Sequence, residues 1–203
     1  MEIGAVSCLS WGVSVHWHLF VGPVPVLGPV GETFGNLLVL VPLLFMIHAS
    51  KDGWAHFGFR VPDMKRDGPV LALLCGLLLL GYIGWLHAGA RAYVPAASRP
   101  SDAIGWMPVL VNLLVRGLWF EAVYRGYFVS RVLDLTGSKV VAVLVPSVLY
   151  AIAFSDWRVS ALMDYAAVGA ILALVFLWRR SIWPLIVASM LYEMIVSYGL
   201  PSA

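Results

Sequence analysis

Residues 120–128 read FEAVYRGYF and set Glu121 and Arg125 four positions apart in a chain that otherwise avoids charge. On an α-helix that spacing makes two side chains neighbours, with the acid in the favourable N-terminal position. Arg116, Asp164 and Glu193 also fall inside apolar stretches. Inserting a charge near mid-bilayer costs about 2.5–3.5 kcal/mol on translocon scales, so each of these residues marks a candidate site. Arg116 lies about 140° round a helix from Glu121 and needs a partner on another helix, either Asp164 or Glu193. Two kinds of chemistry fit. One is a structural network in which carboxylates and arginines neutralise one another while pinning helices together. The other is a water-accessible site in which one carboxylate activates a nucleophilic water.

The elements that must carry these residues are membrane helices. Of 203 residues, 61% are hydrophobic and 12% charged, against about 25% charged in an ordinary soluble domain. A bilayer core of about 30 Å takes roughly 17–25 helical residues to cross, and lipid offers no partner to an unpaired backbone. The expected fold is therefore an all-α, polytopic transmembrane bundle forming a single domain over 1–203. Seven apolar segments are expected, at 4–22, 34–50, 69–89, 104–122, 139–154, 160–178 and 183–199. The opening MEIGAVSC has no basic n-region, so the first segment is expected to be retained.

Basic residues orient the bundle. Lys51, Arg60, Lys65, Arg66, Arg125, Arg131, Lys139, Arg179 and Arg180 gather on one side, and Arg91, Arg99 and Arg158 on the other. The positive-inside rule makes the first side cytoplasmic, with the N-terminus inside and the C-terminus outside. FEAVYRGYF then sits where the fourth segment emerges, and YFVSRVLDLTGSK after it fits a short interfacial helix ending at Gly137. Ala166 with Ala170, and Gly169 with Ala173, repeat at the spacing that lets two membrane helices approach closely.

Other chemistry finds little support in the residues. Cys8 and Cys75 stand apart, without a Cys/His cluster, so neither a disulfide nor a zinc site is expected. His16 and His18, in HWH, read as a packed or interfacial pair, with a tetrapyrrole or metal ligand as the minority alternative. No cofactor and no metal are expected. A net charge of +2 gives no footprint for nucleic acid.

FEAVYRGYF, then VPSVLYAIAF, then AAVGAILALVFLWRRSIWPLIVASMLYEMI resemble, in order and spacing, the CPBP membrane proteins, the CAAX-processing and bacteriocin-processing type also called Abi proteins. The preceding WAHFGFRVPD is similar to the short segment these proteins carry before their core. The resemblance spans 54–197, leaving 1–53 as N-terminal helices and a turn. It implies a helical membrane core with the motifs EExxxR, FxxxH and HxxxN, a glutamate protease in which a carboxylate and a histidine activate water. It also implies a place in the bacterial inner membrane.

Carried over residue by residue, the frame is kept and the chemistry is altered. Arg125 fits the arginine and Glu121 the second glutamate of the first motif, while the first glutamate, to which catalysis is assigned, is Phe120. Tyr150 matches the aromatic start of the second motif, whose histidine is Phe154. In the third, Ser189 stands for the histidine and Glu193 for the asparagine. Phenylalanine transfers no proton.

The expected function is therefore that of a catalytically degenerate CPBP-like subunit, assembly factor or binding partner in a membrane complex, contacting lipids and a membrane-protein partner. The alternative is a divergent glutamate-type endopeptidase that has relocated its carboxylates to Glu121 and Glu193. Against it stands geometry, because a one-position displacement turns a helical side chain by about 100°. A transport role is the weakest of the three, since no inverted repeat is evident.

Overall fold

The computed structural model describes residues 28–87, 103–153 and 159–198. The first apolar segment with His16 and His18, together with Phe154, lies outside the described residues. Seven α-helices are described: α1 (Gly28–Ala49), α2 (Met64–His87), α3 (Ala103–Phe120), α4 (Ser130–Thr136), α5 (Lys139–Ala153), α6 (Val159–Arg179) and α7 (Trp183–Tyr198). Between α3 and α4 the chain does not leave the helix. It widens into a π-helix over Glu121–Val129 and continues. The fourth apolar segment therefore does not end at 122, and the expected interfacial helix is its direct extension. Gly137, in the left-handed conformation at φ 64°, stops it by donating its backbone N–H to the Leu133 carbonyl at 2.8 Å.

Among the described residues, three helical stretches are long and apolar enough to cross a membrane: Met64–Gly84, Ala103–Thr136 and Ala161–Arg179. The second, at 34 residues and about 1.5 Å per residue, outruns a hydrocarbon core, so one end of it must project. Thr33–Ala49, Lys139–Ala153 and Trp183–Ile195 are shorter apolar helices. The bundle turns apolar surface outward: Leu80, Leu144 and Leu174 are all more than half exposed. In water such a surface would drive association; in lipid it is the expected exterior.

Apolar stripes along the helices carry most of the packing. Along α2, Val70, Leu74, Leu78 and Tyr82 recur every four residues and form one buried stripe, which meets α7. Along α1, Val39, Leu43 and Ile47 do the same, with Leu40 beside them, against α3 and the π segment. The π segment lies between two apolar cores: Ala122 to Phe128 pack into the one built with α1, and Val129 into the one built with α2, α6 and α7. All nine of its residues are buried.

A loop closes one end of the bundle. Trp54–Phe57 form a short 3-10 turn, and Phe57 stacks on Tyr127 with ring centroids 6.0 Å apart. Gly126 makes this possible, since a Cβ there would lie 2.9 Å from the Phe57 carbonyl oxygen. The Gly58 carbonyl then accepts from Ile182 N at 3.2 Å, tying the loop to the α6–α7 turn. At this same end lie Lys51, Arg60, Lys65, Arg66, Arg131, Lys139, Arg179 and Arg180.

Gly169 lies at a close contact between α5 and α6. A Cβ placed on it would meet Ser147 Cα at 3.1 Å and Tyr150 Cδ1 at 3.3 Å. Gly169→Leu should therefore cost about 1–3 kcal/mol through overpacking, read as reversible unfolding in bicelles. Gly76→Leu, whose Cβ meets nothing within 4 Å, should cost far less; equal losses would refute this packing.

Candidate functional site

Among the described residues, four of the charged side chains singled out in the sequence form two ion pairs. Glu121 and Arg125 are 0% and 1% exposed. Glu121 Oε1 accepts a hydrogen bond from Ser189 Oγ of α7 at 2.7 Å, and Glu121 Oε2 lies 3.5 Å from Arg125 Nε. The i→i+5 hydrogen bonding of a π-helix places more residues in each turn than an α-helix does. Residues four apart consequently come closer to eclipsing one another, and a one-position shift turns a side chain through a smaller angle.

The second pair crosses between helices. Arg116 Nη1 of α3 meets Glu193 Oε1 of α7 at 2.9 Å, with both side chains partly exposed. Of the two carboxylates expected for Arg116, the structure supplies Glu193. Asp164 is exposed near the start of α6, where it needs no internal counter-charge, so the buried network does not extend to it. Glu121 and Glu193 are thus each matched to an arginine. Ser189 and Glu193, one turn apart on α7, link both pairs to a single helix.

Aromatic rings occupy the rest of the site. The Arg125 guanidinium carbon lies 4.0 Å from the Tyr150 ring centroid, within the range of a cation–π contact. Tyr150 also lies within electrostatic range of Glu121 and Glu193. Phe120 packs edge-on against Tyr150 at 5.6 Å and stacks on Tyr124 at 5.9 Å. The Arg116 guanidinium lies 5.8 Å from the Phe120 ring. Phe120, Tyr124 and Tyr150 therefore form a ring cluster joining the two ion pairs.

Several polar atoms here remain unsatisfied. Glu121 Oε2, Arg125 Nη1 and Nη2, and Trp119 Nε1 are buried and lack a hydrogen-bond partner among the described residues. Burying a polar group without a partner costs a few kcal/mol. The pair is therefore held largely by charge and by ring contact, with Ser189 donating a short hydrogen bond to Glu121.

Residues 102–195, from just before α3 into α7, match the family described as type II CAAX prenyl endopeptidase Rce1-like. Over these residues, a little under half of the chain, it is similar to the Rce1-like family. The protein is accordingly a CAAX protease-like, helical integral membrane protein. The Rce1-like region starts later than residue 54, so the loop packed on Tyr127 precedes it. It contains both ion pairs and the ring cluster. No curated protein and no solved structure matches the chain.

Sequence reasoning missed three features. Tyr124 and Trp119 join the site through their rings, and nothing in their spacing separates them from other buried aromatics. The π-helix carries no compositional sign. A third, Asp67, is buried among arginines near the start of α2, just outside the apolar segment expected at 69–89.

Arg125→Met should destabilise the protein by about 3–5 kcal/mol, because it strands a buried carboxylate. The double variant Glu121→Gln with Arg125→Met should recover most of that loss. The check is a double-mutant cycle by reversible unfolding in bicelles; additive losses would contradict direct coupling.

Proposed function

We propose that this protein is a non-hydrolytic Rce1-like membrane protein that serves as a subunit, assembly factor or binding partner in a membrane protein complex. The observation that carries this reading is the state of Glu121. It has no exposed surface, its Oε1 is engaged by Ser189, and its other oxygen faces Arg125. A general base must reach a water and pass on its proton. Beside it, where the family resemblance expects the working glutamate, Phe120 packs into rings. The family's name speaks of an endopeptidase acting on CAAX prenyl substrates; here the frame of that site is kept as a packing device.

The basic residues at the loop-covered end support placing that end in the cytoplasm. With the further segment expected at 4–22, the N-terminus would then lie inside, in a bacterial inner membrane. The outward apolar faces serve lipid and a protein partner.

One observation favours a second reading, a divergent peptidase using Glu121 and Glu193. The unsatisfied Glu121 Oε2 and Arg125 Nη atoms suit a polar occupant such as water.

The primary reading is tested by extracting the tagged protein from its native membrane at native abundance in a mild detergent. A membrane protein should co-purify in stoichiometric amount and remain bound through size exclusion. Recovery of the chain alone would overturn the subunit reading.

A further inference from the structure

We infer that the cluster of Arg60, Asp67 and Arg179 at the loop-covered end binds the phosphate of an anionic phospholipid headgroup. Asp67 is 4% exposed, and its carboxylate is the centre of the cluster. Its Oδ1 accepts from Arg60 Nη2 at 2.9 Å and lies 3.7 Å from Arg179 Nη2. Its Oδ2 accepts from Asp63 N at 3.1 Å and from Ser181 Oγ at 3.4 Å. One carboxylate oxygen therefore faces two guanidinium groups, and it can neutralise only one of them. Arg60 Nε, Arg179 Nε and Arg179 Nη2 are buried without a hydrogen-bond partner among the described residues. The cluster thus holds one positive charge and several N–H donors in excess of its acceptors. A phosphate monoanion supplies both deficits, and the guanidinium fork matches its oxygens.

The surroundings point to a lipid as the source of that phosphate. Arg60 and Arg179 keep 30% and 18% of their side chains exposed, so the cluster opens at the surface. Beside them in the chain, Met64 is 72% and Trp178 65% exposed. An apolar rim with an outward tryptophan, set against basic residues at helix ends, fits the boundary where acyl chains give way to headgroups. A soluble anion would not call for that rim. The inference is independent of whether the Rce1-like site is hydrolytic, since the two lie at different depths and share no residue.

The test is native mass spectrometry of the delipidated full chain, titrated with phosphatidylglycerol or with phosphatidylcholine of the same acyl chains. Phosphatidylglycerol should be retained about fivefold more strongly, the effect of roughly one charge near an anionic surface. Arg179→Gln, which leaves the Arg60–Asp67 pair intact, should remove that preference. Asp67→Asn frees both arginines and should strengthen it; circular dichroism verifies the fold of each variant. Equal retention of the two lipids, or a preference unchanged in Arg179→Gln, would overturn the inference. Binding of inorganic phosphate that is lost in Arg179→Gln, without any lipid preference, would assign the cluster to a soluble anion and overturn the lipid assignment.

Discussion

A carboxylate with no exposed surface, inside a bundle whose outside is apolar, has to be neutralised by the protein itself. That constraint on Glu121 organises the region around it. Arg125 supplies the charge from the same helical segment and Ser189 the hydrogen bond from α7. Because the partners come from different elements, neutralising one residue fixes α7 against the π segment. Arg125 then lies against Tyr150 and brings in α5. The energetic stake is asymmetric. An intact buried pair adds little net stability, while removal of one member leaves a desolvated charge. The pair therefore specifies an arrangement more than it strengthens it.

The π segment serves the same end. Its wider turn brings Glu121 and Arg125 closer to register on one side. It also leaves Gly126 open to the Phe57 carbonyl, so the loop can settle on the helix that carries the charges. Phe57, Tyr127 and Arg131 continue the contact outward, with the Arg131 guanidinium 5.0 Å from the Phe57 ring. Apolar packing and ion pairing thus reach from the middle of the bundle to its basic end through one continuous helix.

Much of this arrangement was legible in the residues, and the rest was lost for physical reasons. Hydropathy marks where helices run, and the boundaries of α5, α6 and α7 fall within a residue of those expected. Gly169 marked α6 for a close helix approach, and the structure supplies α5 as the neighbour. The partner of Arg116 was narrowed to two residues and no further, since helical phase on one chain segment says nothing about which neighbouring helix lies opposite. The continuation of α3 past residue 122 was hidden, because the polar residues of VYRGYFVSR read as an exit from the membrane although they are buried among protein. Asp67 was overlooked because a charge beside a polar loop looks wet in sequence; the α6–α7 turn covers it only in three dimensions.

The central proposal is that the Rce1-like frame here holds structure without hydrolysis. Its most direct test is oxygen-18 incorporation, with the purified protein in lipid vesicles incubated in labelled water with a prenylated CAAX peptide and the products analysed by mass spectrometry. The account predicts intact, unlabelled peptide. A cleaved product carrying one labelled oxygen, formed by the wild-type protein and lost in Glu121→Gln with the fold preserved, would contradict it.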